Sequence, residues 1–288
     1  MTFRARRDQL RSILTGTQCV RPGSVYDAIS IRIAQDLGFE LGMFGGSVAS
    51  LAVLGDPDIA LITLTELAEQ VRRMSRAAAL PFLVDADHGY GNALNVRRTV
   101  QELEAAGAAG LTIEDTLLPQ AFGEAKAQLI SVEEGVGKMK AALDGRSDPS
   151  FVVLGRTGAV SITSLDDAIA RAKAYQTTGV DGLFFTGIKS RAELDAIAAA
   201  TTLPLVLGGA PDEMSDLDYL AARRVRIALQ GHAPIAAATQ AVYDTLKALR
   251  DGTPPKQLKA LASAELTARL TREAEVKTRG RDMLGLKS

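Results

Sequence analysis

The sequence has one cysteine and no long apolar run, and each of these features excludes a class of protein. The single cysteine among 288 residues, Cys19, excludes an intrachain disulfide framework and predicts a cytoplasmic location. No apolar run approaches the roughly 20 residues of a membrane-spanning helix, so no membrane association is expected. No long apolar run follows the charged N-terminus, so we expect no signal peptide. The 33 basic and 34 acidic side chains nearly cancel, which gives no electrostatic basis for binding nucleic acid.

The chain does contain a regular alternation of short apolar runs with longer amphipathic segments. No linker rich in proline, glycine or serine interrupts it. Such alternation is typical of parallel βα units, and eight of them favour a closed (β/α)8 TIM barrel over an open doubly wound sheet. The apolar runs lie near residues 18–22, 39–45, 81–87, 109–114, 150–156, 181–186, 204–208 and 224–229.

A helical extension is predicted after the barrel. Pro254-Pro255 ends the last barrel helix, so residues 1–255 form the predicted catalytic domain and residues 256–288 the extension. Because the extension lies beyond the eight units, its apolar side chains need another surface to cover them. We expect it to pack on a neighbouring subunit of an oligomer. These side chains are Leu258, Leu261, Leu266 and Leu270.

Two acids stand at the end of the third apolar run, in Phe82-Leu-Val-Asp85-Ala-Asp87. Residues two apart in a strand point to the same face, and burying two carboxylates without a partner is costly. A hard divalent cation held by oxygen ligands explains the pair, with Mg²⁺ expected and Mn²⁺ as the alternative. The other interpretation is two solvated loop acids before a glycine-rich turn.

The ends of the neighbouring runs add further polar groups. Glu114 follows the fourth run, and Asp58 stands in the long connection after the second, where it reaches the metal through water or is an ordinary turn acid. Because the carboxyl ends of barrel strands share one rim, carboxylates from two adjacent strands strengthen the metal prediction. Gly46 lets the backbone approach a ligand, and Ser47 adds a hydroxyl; the alternative is a tight turn.

A cationic and an imidazole side chain complete this predicted rim. Arg156 ends the fifth strand, where it binds a substrate carboxylate through its two-pronged guanidinium or forms a structural ion pair with the acids. His232 ends the eighth strand, on a loop where barrels place reacting groups. We predict both as catalytic and substrate-binding residues. Gly208-Gly209 after the seventh strand is interpreted as a plain turn.

Together these motifs resemble the isocitrate lyase and phosphoenolpyruvate mutase superfamily, most closely its oxaloacetate decarboxylase branch. They follow the family's order over roughly residues 20–160. The matching pieces are Ser24-Val-Tyr-Asp27-Ala, Gly45-Gly-Ser47, Gly55-Asp-Pro-Asp58, Asp85-Ala-Asp87-His-Gly-Tyr-Gly-Asn92, Ile113-Glu114-Asp115 and Gly155-Arg156-Thr157.

The resemblance implies a metal centre, a substrate class and an assembly. Asp85 would ligate Mg²⁺ directly, and Asp58, Asp87 and Glu114 would hold its water ligands. The substrate would be a small keto or hydroxy acid, contacted by the Ser47 region, including Gly46, and by groups matching Arg156 and His232. Members of the superfamily are usually homotetramers, built as dimers of dimers that exchange a C-terminal helix, which suits the extension 256–288.

Departures from the superfamily pattern narrow the expected reaction. The lyases carry a catalytic cysteine in the loop after strand four, and here that loop, Asp115 to Lys126, has none. Gly158 replaces the usual aspartate after Arg156-Thr157. We therefore predict Mg²⁺-dependent decarboxylation of oxaloacetate to pyruvate and CO₂ through a metal-stabilised enolate. The alternatives are a lyase or hydrolase of a related diacid such as methylisocitrate, and a non-catalytic dicarboxylate-binding or scaffold barrel.

Overall fold

Eight parallel strands in chain order form one sheet in the computed structural model, which describes residues 2–285. Val20 closes the sheet into a cylinder, because its N–H donates to the Arg226 carbonyl at 2.9 Å and its carbonyl accepts from Ala228 at 3.0 Å. The predicted (β/α)8 barrel is confirmed. The strands are β1 (Gly23–Ser24), β2 (Gly42–Phe44), β3 (Phe82–Asp85), β4 (Gly110–Glu114), β5 (Val152–Thr157), β6 (Gly182–Thr186), β7 (Leu205–Gly208) and β8 (Val225–Ala228).

The first strand lies slightly later in the chain than predicted. The prediction placed it near 18–22, but regular pairing with β2 occurs at Gly23 and Ser24. Pro22 separates this pairing from the bridge that Val20 makes to β8, and a proline has no N–H to give to a ladder. As a result Ser24, and not Pro22, forms the carboxyl end of β1.

Ten helices lie in the part of the barrel that the structure describes. A hydroxyl residue followed three positions later by an acid predicts capping boxes at Thr63 with Glu66, Ser131 with Glu134 and Ser190 with Glu193. The first and third are confirmed. At the second, Ser131 accepts from the N–H of Glu134, and the reciprocal bond is not formed. The helices are α1 (Phe3–Thr15), α2 (Ala28–Asp36), α3 (Gly46–Val53), α4 (Leu64–Ala77), α5 (Ala93–Ala106), α6 (Val132–Gly145), α7 (Ala159–Ile162), α8 (Leu165–Gln176), α9 (Arg191–Ala200) and α10 (Leu217–Ala222).

Helix α1 closes the amino-terminal end of the barrel. Arg11 donates to the Ser150 carbonyl just before β5, and Leu10 lies beside Gly110 at the start of β4. Leu10 and Leu14 are buried in one apolar cluster, where each contributes roughly 1.5–3 kcal/mol of burial energy. Ligands therefore have access from the carboxyl ends of the strands. The strand side chains in this cluster include Leu41, Met43, Leu83, Val152, Leu154, Phe184, Val206 and Ile227.

The sequence predicts one-sided apolar stripes on α4, at Leu67, Val71 and Met74, and on α6, at Val132, Val136, Met139 and Leu143. All three residues of the α4 stripe are buried. In the α6 stripe Met139 is buried, and the other three residues are half-buried. Small residues allow that helix to approach its neighbours closely; a Cβ on Gly135 would stand 2.2 Å from the Tyr175 hydroxyl. The buried residues of α6 are Gly135, Lys138, Met139, Ala142 and Gly145.

Residues from Ala233 onward form a second compact unit. It contains α11 (Ala233–Arg250), α12 (Ala264–Leu270) and α13 (Glu273–Leu284). Helix α11 therefore groups with the extension, although the predicted domain boundary lies after residue 255. Of the extension's predicted apolar side chains, Leu270 is buried and Leu261 is exposed. Within residues 2–285, no helix combines the length and apolarity needed to cross a membrane.

Candidate active site at the barrel mouth

Asp85 ends β3 at the centre of the candidate site. Its Oδ1 accepts from the Asp87 N–H at 3.3 Å and from the Thr112 hydroxyl at 3.2 Å. Its Oδ2 accepts from the Gly46 N–H at 3.4 Å and from Arg156 Nη1 at 2.5 Å. Burial acts to raise the pKa of Asp85, but Arg156 and the hydrogen bonds outweigh it, so the pKa is lowered and the side chain is anionic.

Asp87 lies in a turn whose backbone is firmly held. Its φ of +46° is uncommon for a residue with a side chain, and its carbonyl accepts from the Glu114 N–H at 2.8 Å. A Cβ on Gly46 would stand 2.5 Å from Asp87 Oδ1, so only glycine fits beside this carboxyl group. Burial, and then the charges of Asp85, Glu114 and Asp58, raise the pKa of Asp87 well above its usual value. The acids here thus outnumber the cations.

Arg156 is the cation that faces these acids. The register of β4 and β5 places it directly opposite Glu114, and its Nε lies 3.1 Å from Glu114 Oε2 without the geometry of a hydrogen bond. Its guanidinium carbon is 5.2 Å from the centre of the Phe184 ring. Burial raises the pKa of Glu114, and Arg156 partly opposes this. The predicted ion pair with the acids is present, to Asp85 and Glu114, and Arg156 also lines the cavity described below.

His232 lies just after β8, against the end of β2. A Cβ on Gly45 would be 2.8 Å from both Cε1 and Nε2 of the imidazole, so the ring can occupy this position only because residue 45 is a glycine. Nδ1 is 2.8 Å from the Ser24 hydroxyl oxygen. Burial lowers the pKa of His232, although the charges of Asp85 and Asp58 oppose it. The imidazole is therefore neutral at neutral pH.

A cavity of about 250 Å³ opens between these groups. Among the predicted residues, Gly46, Asp87 and Glu114 lie behind its wall. Gly208 and Gly209, interpreted from the sequence as a plain turn, also line it. Apolar contacts come from Met43, Phe184 and Leu229. The predicted residues that line the cavity are Ser47, Asp58, Asp85, Arg156 and His232.

The amino end of α3 faces the same cavity. Gly45 precedes the helix without a side-chain cap, and Gly46 and Ser47 form its first turn. The first N–H groups of a helix have no partner inside the helix and carry partial positive charge, which favours anions. One of them, from Gly46, already points at Asp85. This end of α3 suits a substrate carboxylate.

Lys138 is a buried cation near the site that sequence reasoning missed. Its Nζ donates to the His88 carbonyl at 2.9 Å and so braces the turn that carries Asp87. Burial lowers the pKa of Lys138. Burial, and then the charge of Lys138, lower the pKa of His88 to about 4, so His88 is neutral. A correctly phased α6 stripe would have identified Lys138, because it lies on the same buried face as Gly135 and Ala142.

The barrel mouth offers no thiol that could act in catalysis. The loop after β4 folds back on itself, with the Leu117 N–H donating to the Gln128 carbonyl at 2.8 Å, and contains no cysteine. The chain's single thiol, on Cys19, is buried, and burial raises its pKa to about 11. Cys19 behaves as a small buried hydrophobe.

The donor set limits how a metal ion can be held. Among residues 2–285 there is no group of three or more His, Cys, Asp or Glu side chains arranged to grip a metal together. Asp85 presents an anionic carboxylate to the cavity, and the other acids lie around it. Mg²⁺ commonly keeps several water ligands and takes only one or two protein carboxylates. The residues present fit a cation of that kind.

The barrel and its acidic mouth define an α/β-barrel protein with a candidate active site at the carboxyl ends of its strands. The chain belongs to the phosphoenolpyruvate phosphomutase family, whose model matches residues 10–250. The family membership predicted from the motifs is confirmed.

Relatives of the chain agree with this assignment. A protein of Bradyrhizobium sp. (strain ORS 278) named oxaloacetate decarboxylase is 82% identical over the whole length of both chains. A phosphonopyruvate hydrolase solved with oxalate and Mg²⁺ is 27% identical, with a TM-score of 0.86 over 97% of this chain and 99% of its own. An oxaloacetate acetylhydrolase solved with 3,3-difluorooxalacetate is 25% identical, with a TM-score of 0.85 over 99% of both chains.

Proposed function

We propose that this chain decarboxylates oxaloacetate to pyruvate and CO₂ with a bound divalent cation, Mg²⁺ or Mn²⁺. The observation that carries the proposal is a small cavity that brings together Asp85, Arg156 and His232 without any thiol. The name of the Bradyrhizobium relative, which is similar over its whole length, supports the same reaction. The phosphonopyruvate hydrolase solved with Mg²⁺ and oxalate supports the cation.

In this proposal Asp85 ligates the cation directly, and Asp58, Asp87 and Glu114 hold its water ligands. The raised pKa of Asp87 supports it, because neighbouring negative charges are the second cause of that shift after burial. When bound, the cation supplies positive charge that stabilises the enolate. Lys138 keeps the turn of Asp87 in place through the His88 carbonyl.

The side chains of the cavity orient the substrate. The Arg156 guanidinium and the amino end of α3 at Gly46 and Ser47 bind carboxylate oxygens. His232, neutral at this burial, donates a hydrogen bond to the substrate. Breaking the bond between C3 and C4 sends its electron pair into the enolate and releases CO₂, so no base has to remove a proton from carbon. A proton from water at C3 then gives pyruvate. The absence of a cysteine in the loop after β4 is consistent with this route.

The test is to identify the products formed from ¹³C-labelled oxaloacetate by NMR. The EDTA-treated chain should form pyruvate no faster than oxaloacetate alone does, and after Mg²⁺ is added it should form pyruvate faster than the same Mg²⁺ concentration without protein. Acetate and oxalate as products would instead indicate hydrolysis. In the same assay, succinate formed from methylisocitrate would support the lyase alternative. No turnover of either compound, together with calorimetric binding, would support a non-catalytic dicarboxylate-binding barrel.

We also propose that the chain works as a cytoplasmic homotetramer, a dimer of dimers that exchanges its C-terminal helices. Helix α11 buries only Ile235 among its described side chains. Val242, Leu246 and Leu249 follow one another at helical spacing on one face, and all three are exposed. A contiguous exposed apolar stripe of this kind marks an interaction surface. A second copy of the chain, packing on α11 and on the extension 256–288, would cover it.

Leu246→Glu is expected to reduce the assembly mass measured by size-exclusion chromatography with light scattering. The new charge would be buried in the interface without a partner, which is costly. Gln240→Glu is the matched control, because it adds the same charge on the opposite face of α11 and should leave the mass unchanged. An unchanged mass for Leu246→Glu, or a single-chain mass for the unmodified protein, would contradict this assembly.

A further inference from the structure

Ser24 contacts His232, although 208 positions separate the two residues. The contact exists because the barrel closes there: Val20, just before β1, bridges Ile227 of β8. Ser24 then ends β1 beside the loop that carries His232. Its hydroxyl oxygen lies 2.8 Å from Nδ1, and no other hydrogen bond of this hydroxyl occurs in the described part of the chain.

The imidazole of His232 has two edges with different surroundings. Nδ1 faces Ser24, while the Cε1–Nε2 edge lies against Gly45, which lines the cavity. A neutral imidazole carries a single N–H, so the nitrogen that holds it decides whether the other edge donates or accepts. A serine hydroxyl can satisfy Nδ1 in either state, and the remaining groups of the cavity therefore select the tautomer.

Those groups favour a hydrogen on Nε2. The carboxylates of Asp58 and Asp85 line the same cavity, and before a cation binds their negative field attracts a donor and repels a lone pair. The proposed substrate is a diacid with a keto group, so its reacting form offers oxygen acceptors. With hydrogen on Nε2, Nδ1 is an acceptor, and the Ser24 hydroxyl becomes its donor.

We infer that Ser24 is a positioning residue, which donates its hydroxyl hydrogen to Nδ1 and so holds His232 in the tautomer whose Nε2–H serves the substrate. This role rests on the proposed function, because the donor is useful only to a ligand rich in acceptors. Partners that orient a metal-bound histidine through its second ring nitrogen typically affect activity by about 10- to 100-fold, and for Ser24 we expect an effect at the lower end of that range.

The first test reads the tautomer directly in the ¹⁵N-labelled protein, without any turnover. The chain has only two histidines, so long-range ¹H–¹⁵N spectra of the imidazoles contain two ring systems. His232→Asn assigns the signals by removing one of them, and His88 serves as an internal reference. His232 should show a protonated Nε2 and an unprotonated, hydrogen-bonded Nδ1. A protonated Nδ1 would overturn the inference even if no Ser24 variant folds.

The second test compares variants at Ser24. Ser24→Ala should move the two His232 nitrogen shifts towards each other, as the tautomers mix, and should lower kcat/KM for oxaloacetate about tenfold. Ser24→Thr, which keeps the hydroxyl, should restore both readouts. Ser12→Ala, which removes an exposed hydroxyl on α1, is the control and should change neither.

The outcomes at Ser24 separate this inference from the proposed function. Unchanged His232 shifts in folded Ser24→Ala would overturn the positioning role while leaving decarboxylation intact. If the unmodified chain does not decarboxylate oxaloacetate, the proposed function fails, and the tautomer result still decides what Ser24 does to His232.

Discussion

Asp85→Asn is expected to lower kcat/KM for oxaloacetate by about 10³-fold or more. Asparagine keeps the shape of the side chain but removes the negative charge that would ligate the cation. Losing several kcal/mol of transition-state stabilisation corresponds to a factor of this size. The change also takes from Arg156 its closest anionic partner, at 2.5 Å.

A binding measurement makes this prediction specific to the metal. Mn²⁺ affinity, followed by electron paramagnetic resonance, should fall together with the activity in Asp85→Asn. Asp8→Asn removes an exposed carboxylate on α1 and should alter neither quantity. Near-native kinetics, or unchanged Mn²⁺ binding, in a correctly folded Asp85→Asn protein would refute the proposed role of Asp85.

Arg156→Lys is expected to reduce kcat/KM by about 10²–10³-fold, the scale of losing one well-placed charge donor. The guanidinium reaches Asp85 with one nitrogen and Glu114 with another while it faces the Phe184 ring. A lysine ammonium is a compact point charge and cannot reproduce that fork. Arg97→Lys, at an exposed ion pair with Asp144, is the control and should retain full activity. Full activity in Arg156→Lys would show that a single positive charge is sufficient.

Arg156→Met adds a prediction about stability. Removing one partner of a buried ion pair costs roughly 3–5 kcal/mol, because the remaining charge stays uncompensated. The pKa of Asp87 is already raised in the folded chain, and without Arg156 it would rise further. A raised folded-state pKa destabilises increasingly as pH rises above the unfolded value near 4. The deficit in urea unfolding of the metal-free variant should therefore be larger at pH 8 than at pH 5. An equal deficit at both pH values would contradict this.

The fold was predictable because its main signal is periodic. Eight apolar runs predicted eight strands, and the carboxyl ends of those strands placed Asp85, Glu114, Arg156 and His232 at one rim. Thr63 with Glu66 set the start of α4, because both partners of a capping box lie within one helical turn. These predictions depend on short-range chemistry and on the common direction of parallel strands.

The remaining details depend on contacts between distant segments. The most buried face of α6 lies beside its predicted stripe, where Gly135 packs closely against Tyr175, a contact that no local pattern reveals. The bond between Ser24 and His232 requires the closing register of the first and last strands. For Arg156 the sequence left two interpretations, a substrate-binding group and a structural ion pair with the acids. The register of β4 and β5 places Arg156 opposite Glu114, and its side chain also lines the cavity, so each interpretation is met in part.

The surplus of acids around Asp85 bears on the sequence in which reactants arrive. Asp58, Asp87 and Glu114 surround it, and Arg156 is the only guanidinium that pairs with it in residues 2–285. Such a mouth repels a free dianion and attracts a divalent ion. Oxaloacetate would thus enter after the ion or escorted by it, and the chain would discriminate against its own substrate whenever the ion is scarce. Turnover would then follow the supply of free divalent ions as closely as the supply of oxaloacetate.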